Sequence, residues 1–514
     1  MLLKPKALAT NIKADPSLTL AMVLSEQEKV AHLLRRFGFG ASEAEMAYYS
    51  KNGLSGAITA LLDYDKIEDV CAVDPMAFSN GKNVVNLRVI QNLFSMRLIG
   101  TERPLEEKMT LFWHNHFATS SAKVDNAFVM YNHINTLRKY ALGRFNVLLE
   151  AISKDPGMIY WLDGQENVAA HPNENFAREV MELFTLGIGN YTEKDVQEAA
   201  RCYTGWSYGR GFRANDSSPK RPDVFRFFVD RHDLGVKTVL GETGNMNGEE
   251  MLMLLCKQKQ TARFITKKLW SWFAYEDPED AVIDRLSTSF FASNMDIKSL
   301  VRSVMESPEF YSDRAFRKVI KNPIDFTVST IRQLGAGQAM LQRLKDGIAN
   351  PQVNAQNGLN TSLIRALIPA QAAFSASKSM GLELMAPPDV SGWRNGAYWI
   401  TSATMVERMK WADKLFAGGP AGNTQNPGNP LGGNRGPQVG VPAFPLFQAD
   451  PTPNGVVKSL MSLFDLTLPP AKVAGLVATA EGGAGGSTIT FQNANSTART
   501  VCKLMFSTPE FQMM

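Results

Sequence analysis

Two short polar segments of this sequence are unusually dense in side chains that could do chemistry. LFWHNHFATS at 111–120 and HPNENFAREVMELFTLG at 171–187 contain three of the six histidines in a chain of 514 residues. Histidine, glutamate and arginine on helix-forming sequence are groups that bind metals, transfer protons or hold anions. The two segments therefore indicate where a site could lie, although no reaction follows from them.

The first segment raises the question of whether its two histidines can act together. His114 and His116 stand two residues apart, so on a regular helix they point about 200° away from each other. His116 continues the apolar stripe and is expected to face inward, whereas His114 is expected to face away. The rings converge only if the helix ends here, which the following FATSSA favours. They form either a metal-binding or catalytic pair, or one buried histidine bonded to a carbonyl and one exposed histidine.

The second segment predicts a helix over 174–186 with a polar side. Arg178, Glu179 and Glu182 lie opposite its apolar face. Glu179 and Glu182 are three residues apart and can bridge a cation, while Arg178 and Glu182 are four apart and can form an ion pair. Helical glutamates combined with histidines build di-iron and di-manganese sites in helical bundles. The other interpretation is a solvated face that carries a weak ion pair.

Two loops add further candidates. His232 and Asp233 are neighbours in a glycine-containing segment, where an aspartate can orient an imidazole, although the dipeptide is also common by chance. Trp393 and Trp399 lie in the turn-rich segment PPDVSGWRNGAYWI at 387–400. Their rings can form a platform for a sugar, or they can pin a rigid loop over the helical core.

Composition and charge limit the classes of protein. The chain is 44% hydrophobic, and its 54 basic and 50 acidic residues give a net charge of +4 without a block of like charges. This balance indicates neither nucleic acid nor an anionic membrane as a partner. No apolar run reaches the roughly 18–20 residues of a transmembrane helix. LTLAMVL at 18–24 has no convincing cleavage site after it, so no signal peptide is predicted and the localisation stays open.

Several other residues are predicted to have structural roles. His32 lies off the apolar stripe of its helix, beside Arg35 and Arg36, and is predicted to be on the surface. Glu198 and Arg201 are expected to pair and join two helices. The cysteines contain no CxxC pair, which argues against a cysteine-rich zinc site. We expect buried free thiols, with one or two disulfides as the alternative, at Cys71, Cys202, Cys256 and Cys502.

Helix signals dominate and predict an all-α, mostly helical single globular body. Strand-like alternation is confined to 224–230 and 487–492, so we expect at most a small β-hairpin beside long Gly/Pro-rich loops. The chain divides into an N-terminal lead-in (1–25), a main helical body (26–416), a Gly/Pro/Asn-rich insertion or linker (417–455) and C-terminal helices that pack back on the main body (456–514).

The order of the motifs resembles that of a large bacterial family, domain-of-unknown-function family 1800, over residues 26–514. The resemblance implies one helical domain in which 417–455 is an internal insertion, and it supplies no reaction. Family members resemble exported proteins, and their genes often lie beside genes for sulfatase-like proteins, which makes such a protein a candidate partner. The chain departs from the family pattern at Leu382, where a glutamine is expected. The matching motifs are AHLLRRFGFGAS (31–42), LFWHNHFATS (111–120), HPNENFAREVMELFTLGIGNYTEKDVQEAARCYTGW (171–206), HDLGVKTVLG (232–241), ARFITKKLW (262–270), PPDVSGW (387–393) and STPEFQ (507–512).

Two hypotheses of different classes remain. The first is a metal-dependent enzyme that binds iron, manganese or zinc and acts on a carbohydrate or another extracellular polymer. The second is a non-catalytic envelope, assembly or binding protein whose polar clusters are buried networks that fix helix packing. A metal requires its ligands to converge within about 2–2.5 Å of one point, whereas a network shows them paired with arginine and backbone. In the enzyme, the metal ligands are His114, His116 and Glu179 with His171 or His232, the catalytic residues are Glu182, Arg178 and Asp233, and the substrate platform is Trp393 and Trp399.

Overall fold

The computed structural model describes residues 24–79, 85–209, 224–356, 358–417, 437–485 and 488–514. Most of this chain is α-helical, which confirms the predicted fold class. The first helices are α1 (Glu26–Phe37), α2 (Glu43–Ser50), α3 (Gly53–Leu62), α4 (Leu87–Gly100), α5 (Pro104–His116), α6 (Ser121–Val124), α7 (Ala127–Lys139), α8 (Phe145–Ser153) and α9 (Pro156–Trp161). The next are α10 (Glu174–Glu179), α11 (Glu193–Cys202), α12 (Gly248–Cys256), α13 (Lys259–Phe273), α14 (Asp280–Ala292), α15 (Ile297–Met305) and α16 (Pro323–Gln333). The last are α17 (Ala336–Ala349), α18 (Thr361–Ala366), α19 (Ile368–Ser379), α20 (Ser402–Leu415), α21 (Phe444–Phe447), α22 (Pro453–Leu463), α23 (Pro470–Ala484), α24 (Ala494–Ser507) and α25 (Pro509–Gln512).

Strands are few and short in this part of the chain. β1 (Trp206–Tyr208) pairs antiparallel with β2 (Phe225–Phe227), and β3 (Lys237–Val239) pairs antiparallel with β4 (Glu242–Gly244). The predicted strand at 224–230 therefore exists over three residues, whereas 487–492 contains no strand over its described residues 488–492. The structure thus has two small hairpins where the sequence predicts at most one.

The N-terminal helices show why local sequence predicts this fold well. Ser25 and Glu28 form a capping box at α1, and Ser42 and Glu45 form another at α2. Each box satisfies backbone N–H groups that the first helical turn leaves unpaired. The same helix α1 also contradicts a prediction, because His32 is fully buried and its Nε2 lies 3.0 Å from the carbonyl oxygen of Phe310. A 3₁₀ turn over Pro308–Tyr311 covers the side of α1 that the sequence leaves polar.

One continuous hydrophobic core runs through the described residues from α1 to α25. In the C-terminal part, α24 packs on α20, and the buried Arg408 of α20 donates to Oε1 of Gln512 at 2.7 Å. About half of the predicted insertion, residues 418–436, lies outside the described residues, while its later part contains α21 and the buried Phe447. All four cysteines are buried and free. Among the helices of the described residues, none has both the length and the apolarity to cross a membrane.

Candidate functional site

The end of α5 carries the first sequence-predicted histidine, His114, and this ring is fully buried. Its Nε2 accepts the backbone N–H of Met385 at 3.0 Å. Met385 has a left-handed φ of 64°, an unfavourable conformation for a side chain of this size, and its carbonyl accepts the N–H of Ser121 at 2.7 Å. The expectation that His114 faces away is wrong, because the segment at 383–393 covers that side of the helix. Burial lowers the pKa of His114 to about 3, so the ring is neutral and serves as a hydrogen-bond acceptor.

Asn115, between the two histidines, holds the same covering segment at a second point. Its Oδ1 accepts the backbone N–H of Trp393 at 2.7 Å. Gly392 approaches so closely that a Cβ there would lie 2.4 Å from the carbonyl oxygen of Asn115, and its φ of +84° also favours glycine. The sequence analysis missed Asn115, because its partner Trp393 lies 278 residues further along the chain and nothing in the local sequence indicates that contact.

His116 contacts a different segment, the end of the 174–186 region. Its Nε2 lies 3.2 Å from the carbonyl oxygen of Phe184, and its Nδ1 lies 3.4 Å from Nζ of Lys268 on α13. Lys268 also donates to the carbonyl of Leu183 at 3.2 Å. These contacts fit a neutral ring that donates through Nε2 and accepts through Nδ1. Burial, followed by the charge of Lys268, lowers the pKa of His116 well below its ordinary value.

Residues 180–185 form a π-helix rather than the regular helix predicted through 186. The N–H of Leu186 bonds the carbonyl of Met181 at 2.8 Å, a spacing of five residues, and Thr185 Oγ1 donates to the carbonyl of Val180 at 2.7 Å. The wider turn leaves the carbonyls of Leu183 and Phe184 to side-chain donors from α13 and α5. Such π-helical turns are rare and occur frequently at functional sites.

Lys268, which the sequence analysis also missed, places a cation beside His116 and the π-helix. It packs against the ring of Phe264, with Nζ 5.0 Å from the ring centroid, and no carboxylate pairs with it in the described residues. Burial lowers the pKa of Lys268 to about 8. The ammonium therefore holds its charge weakly at neutral pH and is stabilised by a carbonyl and an imidazole.

The predicted carboxylates near this π-helix have different partners from those expected. Arg178 bonds Glu174 at 2.9 Å and Glu193 at 2.7 Å, so its predicted pair with Glu182 is wrong. Glu182 accepts the hydroxyl of Tyr191 instead. The partners differ because the change to π-helical geometry after Glu179 alters the spacing on which the prediction rested.

The carboxylate of Glu179 has no hydrogen bond or ion pair among the described residues. Its pKa is raised, first by burial and then by the negative charge of Glu182; the positive charge of Arg178 opposes the shift, and Asp389 in the PPDVSGW segment adds a smaller increase. Glu179, Glu182 and Asp389 are thus close enough to repel one another electrostatically. A bound cation would relieve that repulsion.

The remaining predicted ligands lie in separate surroundings. His171 is exposed, and its residue forms an isolated bridge with Val168. His232 Nδ1 lies 2.8 Å from the carbonyl oxygen of Thr204, whereas Asp233 pairs with Arg201 at 2.7 Å. The prediction that Asp233 orients His232 is therefore wrong. The Arg201 guanidinium lowers the pKa of Asp233 to about 2, which fixes it as a structural carboxylate.

No metal centre is formed by the predicted ligands as they are placed. Within the ranges that the structure describes, which include His114, His116, His171, Glu179 and His232, no group of three or more His, Cys, Asp and Glu side chains is arranged to hold a metal ion. Both ring nitrogens of His116 and the Nε2 of His114 already contact protein groups. The presence of a metal ion, and its identity as iron, manganese or zinc, remain predictions.

A buried histidine that the sequence analysis left without a role lies near His114. His133 Nδ1 lies 3.0 Å from Oδ1 of Asp155, which also caps α9 by accepting the N–H of Gly157 at 2.9 Å. Neither Nε2 of His133 nor Nδ1 of His114 has a protein partner among the described residues. His133 and Asp155 therefore form a second buried polar network near His114, and it again joins a histidine to a helix end.

The two tryptophans of the proposed sugar platform are both buried. Trp393 stacks edge-on against His114, with ring centroids 5.2 Å apart, and only 7% of its surface is exposed, compared with 6% for Trp399. As placed, neither ring has an open face, and use as a platform would require the loop to move. Their position matches the alternative interpretation of a loop pinned over the helical core.

His114, Asn115 and His116, which we call the HNH triplet, lie under a distant loop within the helical body. This arrangement is a feature of a whole-chain domain and not of a short motif. A family model described as a protein of unknown function, DUF1800, matches residues 32–513. The chain belongs to this family, which confirms the resemblance inferred from its motifs. Neither the curated proteins nor the solved structures contain a match.

Proposed function

We propose that this protein is a non-catalytic assembly or binding protein whose His/Glu/Arg clusters are structural polar networks. The observation that carries the proposal is the use of the HNH triplet. His114 and Asn115 bond the backbone of 385–393, and His116 bonds the backbone at Phe184. Three consecutive polar side chains thereby tie two distant segments to one helix end.

The energetic logic favours a role in folding for these groups. A buried donor or acceptor without a partner costs about 1–3 kcal/mol, so a network that satisfies backbone groups of distant segments specifies one arrangement of those segments. The left-handed Met385 is held on both sides by such bonds. Groups used in this way are not free to bind a substrate.

An exposed apolar stretch supplies a surface for a partner. The segment at 224–236 leaves Phe227 43% exposed and Leu234 67% exposed, and Val224, Val229 and Val236 are exposed as well. Clustered exposed apolar side chains on a soluble domain mark interaction sites. A sulfatase-like protein, suggested by the family's gene neighbours, is the candidate partner for this surface.

The second candidate is a metal-dependent enzyme that acts on an extracellular polymer or carbohydrate-like substrate. The observation that favours it is Glu179, which has no partner among the described residues and a pKa raised by burial and by Glu182. A divalent iron, manganese or zinc ion would offset that repulsion, and Glu182 or Asp389 would be adjacent ligands.

Elemental analysis combined with thermal unfolding separates the two candidates. Untagged protein would be analysed by inductively coupled plasma mass spectrometry beside the variants Asn115→Ala, Glu179→Gln and, as an exposed histidine control, His171→Ala. The structural proposal predicts no stoichiometric metal and a stability loss of about 1–3 kcal/mol for Asn115→Ala only. About one equivalent of metal in the parent, lost in a folded Glu179→Gln variant, would reject it in favour of the enzyme.

A further inference from the structure

A cleft beside α1 contains three cations, Arg35, Arg317 and Lys321, and among the described residues only the carboxylate of Asp465 forms an ion pair with any of them. Its walls include Arg35 of α1, Arg317 and Lys321 from the segment before α16, and Asp465 after α22. We refer to this site, also lined by Phe39 and Gly40, as the cationic pocket. It lies apart from the HNH triplet and does not depend on the proposed function.

Lys321 is the clearest unpaired group in the cationic pocket. Only 8% of the residue is exposed, and its Nζ makes neither an ion pair nor a hydrogen bond with any residue that the structure describes. The ammonium rests over the ring of Phe511, 4.2 Å from the centroid. Burial, reinforced by the charges of Arg317, Arg35 and Arg408 and opposed by Asp465, lowers the pKa of Lys321 to about 7.

The two arginines share a single carboxylate. Arg317 Nη2 bonds Oδ1 of Asp465 at 2.8 Å, and Arg35 bonds the other oxygen of the same group. The Nε and Nη2 of Arg35 are buried without a partner in the described part of the chain. Arg35 is 94% buried, so these donors are costly to leave unpaired.

The other acids that line the cationic pocket are already neutralised. Asp325 pairs with the buried Lys108, and Glu510 pairs with Lys472 at 2.7 Å. Asp465 is shared between Arg35 and Arg317, and Glu28 adds a negative charge that acts on both arginines. Lys321 is therefore the cation of this pocket that has no paired carboxylate among the described residues, in a partly closed cleft where solvent screens charge weakly.

The backbone also holds two of these residues in an unfavourable conformation. Arg317 has φ 53° and Asp465 has φ 48°, both in the left-handed region. Such conformations cost of order 1–3 kcal/mol each and persist where the surrounding structure imposes them, often at ligand sites. They aim the guanidinium and the carboxylate at each other across the cleft.

We propose that the cationic pocket binds a small oxyanion, a phosphate or sulfate group, through Lys321, Arg317 and Arg35. A guanidinium presents parallel N–H donors that match two oxygens of such a group, and lysine adds a point charge. The ligand is either a free ion or the terminal group of a larger molecule.

Isothermal titration calorimetry on the full chain in phosphate-free buffer tests the site. The titrants are sodium phosphate, sodium sulfate, glycerol 3-phosphate and, as an anion of different chemistry, sodium acetate, all at equal ionic strength. We expect saturable 1:1 binding of phosphate or sulfate that Lys321→Met weakens by about tenfold or more. Lys410→Met, which removes an exposed lysine paired with Glu407, should retain the parental affinity.

Binding of glycerol 3-phosphate as tight as that of phosphate would assign a terminal group, and binding of the inorganic ion alone would assign a free ion.

A measurement on the unaltered protein guards against misfolding of the variant. Acetylation of Lys321 by acetic anhydride, followed by peptide mass spectrometry, should slow severalfold at saturating phosphate, while acetylation of Lys410 should not change. The proposal is rejected if neither phosphate nor sulfate binds saturably, if Lys321→Met binds like the parent, or if phosphate leaves the acetylation rate of Lys321 unchanged.

Discussion

The HNH triplet and the cationic pocket are both rich in buried polar groups, yet they differ in how those groups are satisfied. His114, Asn115 and His116 each bond the backbone of a segment far away in the sequence. In the cationic pocket, Lys321 has no partner among the described residues, and two arginines share one carboxylate. A satisfied network stabilises one arrangement of the chain, whereas an unsatisfied one leaves free energy for a ligand to recover.

This difference reverses the expectation from residue type alone. Histidines and glutamates close together in sequence indicate chemistry, and arginines and lysines on a helix indicate a solvated surface. The structure places the histidines where they hold backbone and the cations where they are buried. Burial and pairing therefore discriminate between structural and ligand-binding roles better than the residue types do.

The largest expected effect comes from two buried lysines at the same pocket. Lys108→Met removes the partner of Asp325 and leaves a buried carboxylate, which should cost about 3–5 kcal/mol of unfolding free energy. Lys321→Met removes a buried charge that has no partner among the described residues, so the unfolding free energy should stay constant or increase. Urea denaturation followed by circular dichroism at pH 7 without phosphate measures both. Equal destabilisation by the two substitutions would show that Lys321 already has a counter-charge.

The HNH triplet and the cationic pocket should affect stability over different pH ranges. The pKa of His114 falls from 6.5 to about 3 on folding, so the unfolded chain binds the proton more readily and stability is lost as the pH falls below 6.5. The slope is about 1.4 kcal/mol per pH unit for one histidine. His114→Gln should remove this loss, so its stability deficit relative to the parent should narrow between pH 6.5 and 4.5. A constant deficit across that range would mean that the buried ring titrates normally.

Lys321 should affect the unfolding free energy at alkaline pH. Its pKa falls from 10.5 to about 7, so its contribution is full above pH 10.5 and is lost as the pH falls toward 7. The stability of the parent relative to Lys321→Met should therefore increase as the pH rises, which offsets any advantage that the variant has at pH 7. Chemical denaturation at pH 7 and at pH 9 measures the difference, which cancels the contributions of the buried tyrosines and cysteines.

A smaller effect is expected where the covering loop approaches Asn115. Gly392 and Gly241 have the same φ of +84°, but a Cβ at 392 would meet the carbonyl oxygen of Asn115 at 2.4 Å, and a Cβ at 241 would meet nothing within 4 Å. Gly241→Ala should cost about 1 kcal/mol through backbone conformation, and Gly392→Ala about 1–3 kcal/mol more through overpacking. Equal losses in unfolding free energy would show that the loop lifts away from the HNH triplet without cost.

The sequence predicts the parts of this fold that depend on local order. Capping boxes at Ser25 and Ser42 and the apolar helical stripes identify the helices correctly. It fails where a distant segment decides the outcome, as at His32 under Phe310 and His114 under Met385. The π-helix at 180–185 also escapes prediction, because its carbonyls are satisfied by side chains from other helices. A single sequence contains no signal for such long-range contacts.

The smallest effect concerns Arg178, which the sequence analysis paired with Glu182 and placed among the catalytic residues. Its partners are Glu174 and Glu193, and its side chain is 31% exposed, so Arg178→Gln should change the unfolding free energy by no more than about 1 kcal/mol. Arg201→Gln is the matched comparison, because Arg201 bonds Glu198, Asp233 and the carbonyl of Val236, and its loss should cost more. Thermal unfolding of both variants gives the ranking. A larger loss of unfolding free energy for Arg178→Gln than for Arg201→Gln would show that Arg178 is more strongly constrained than its contacts indicate. That result would favour the enzyme over the assembly protein.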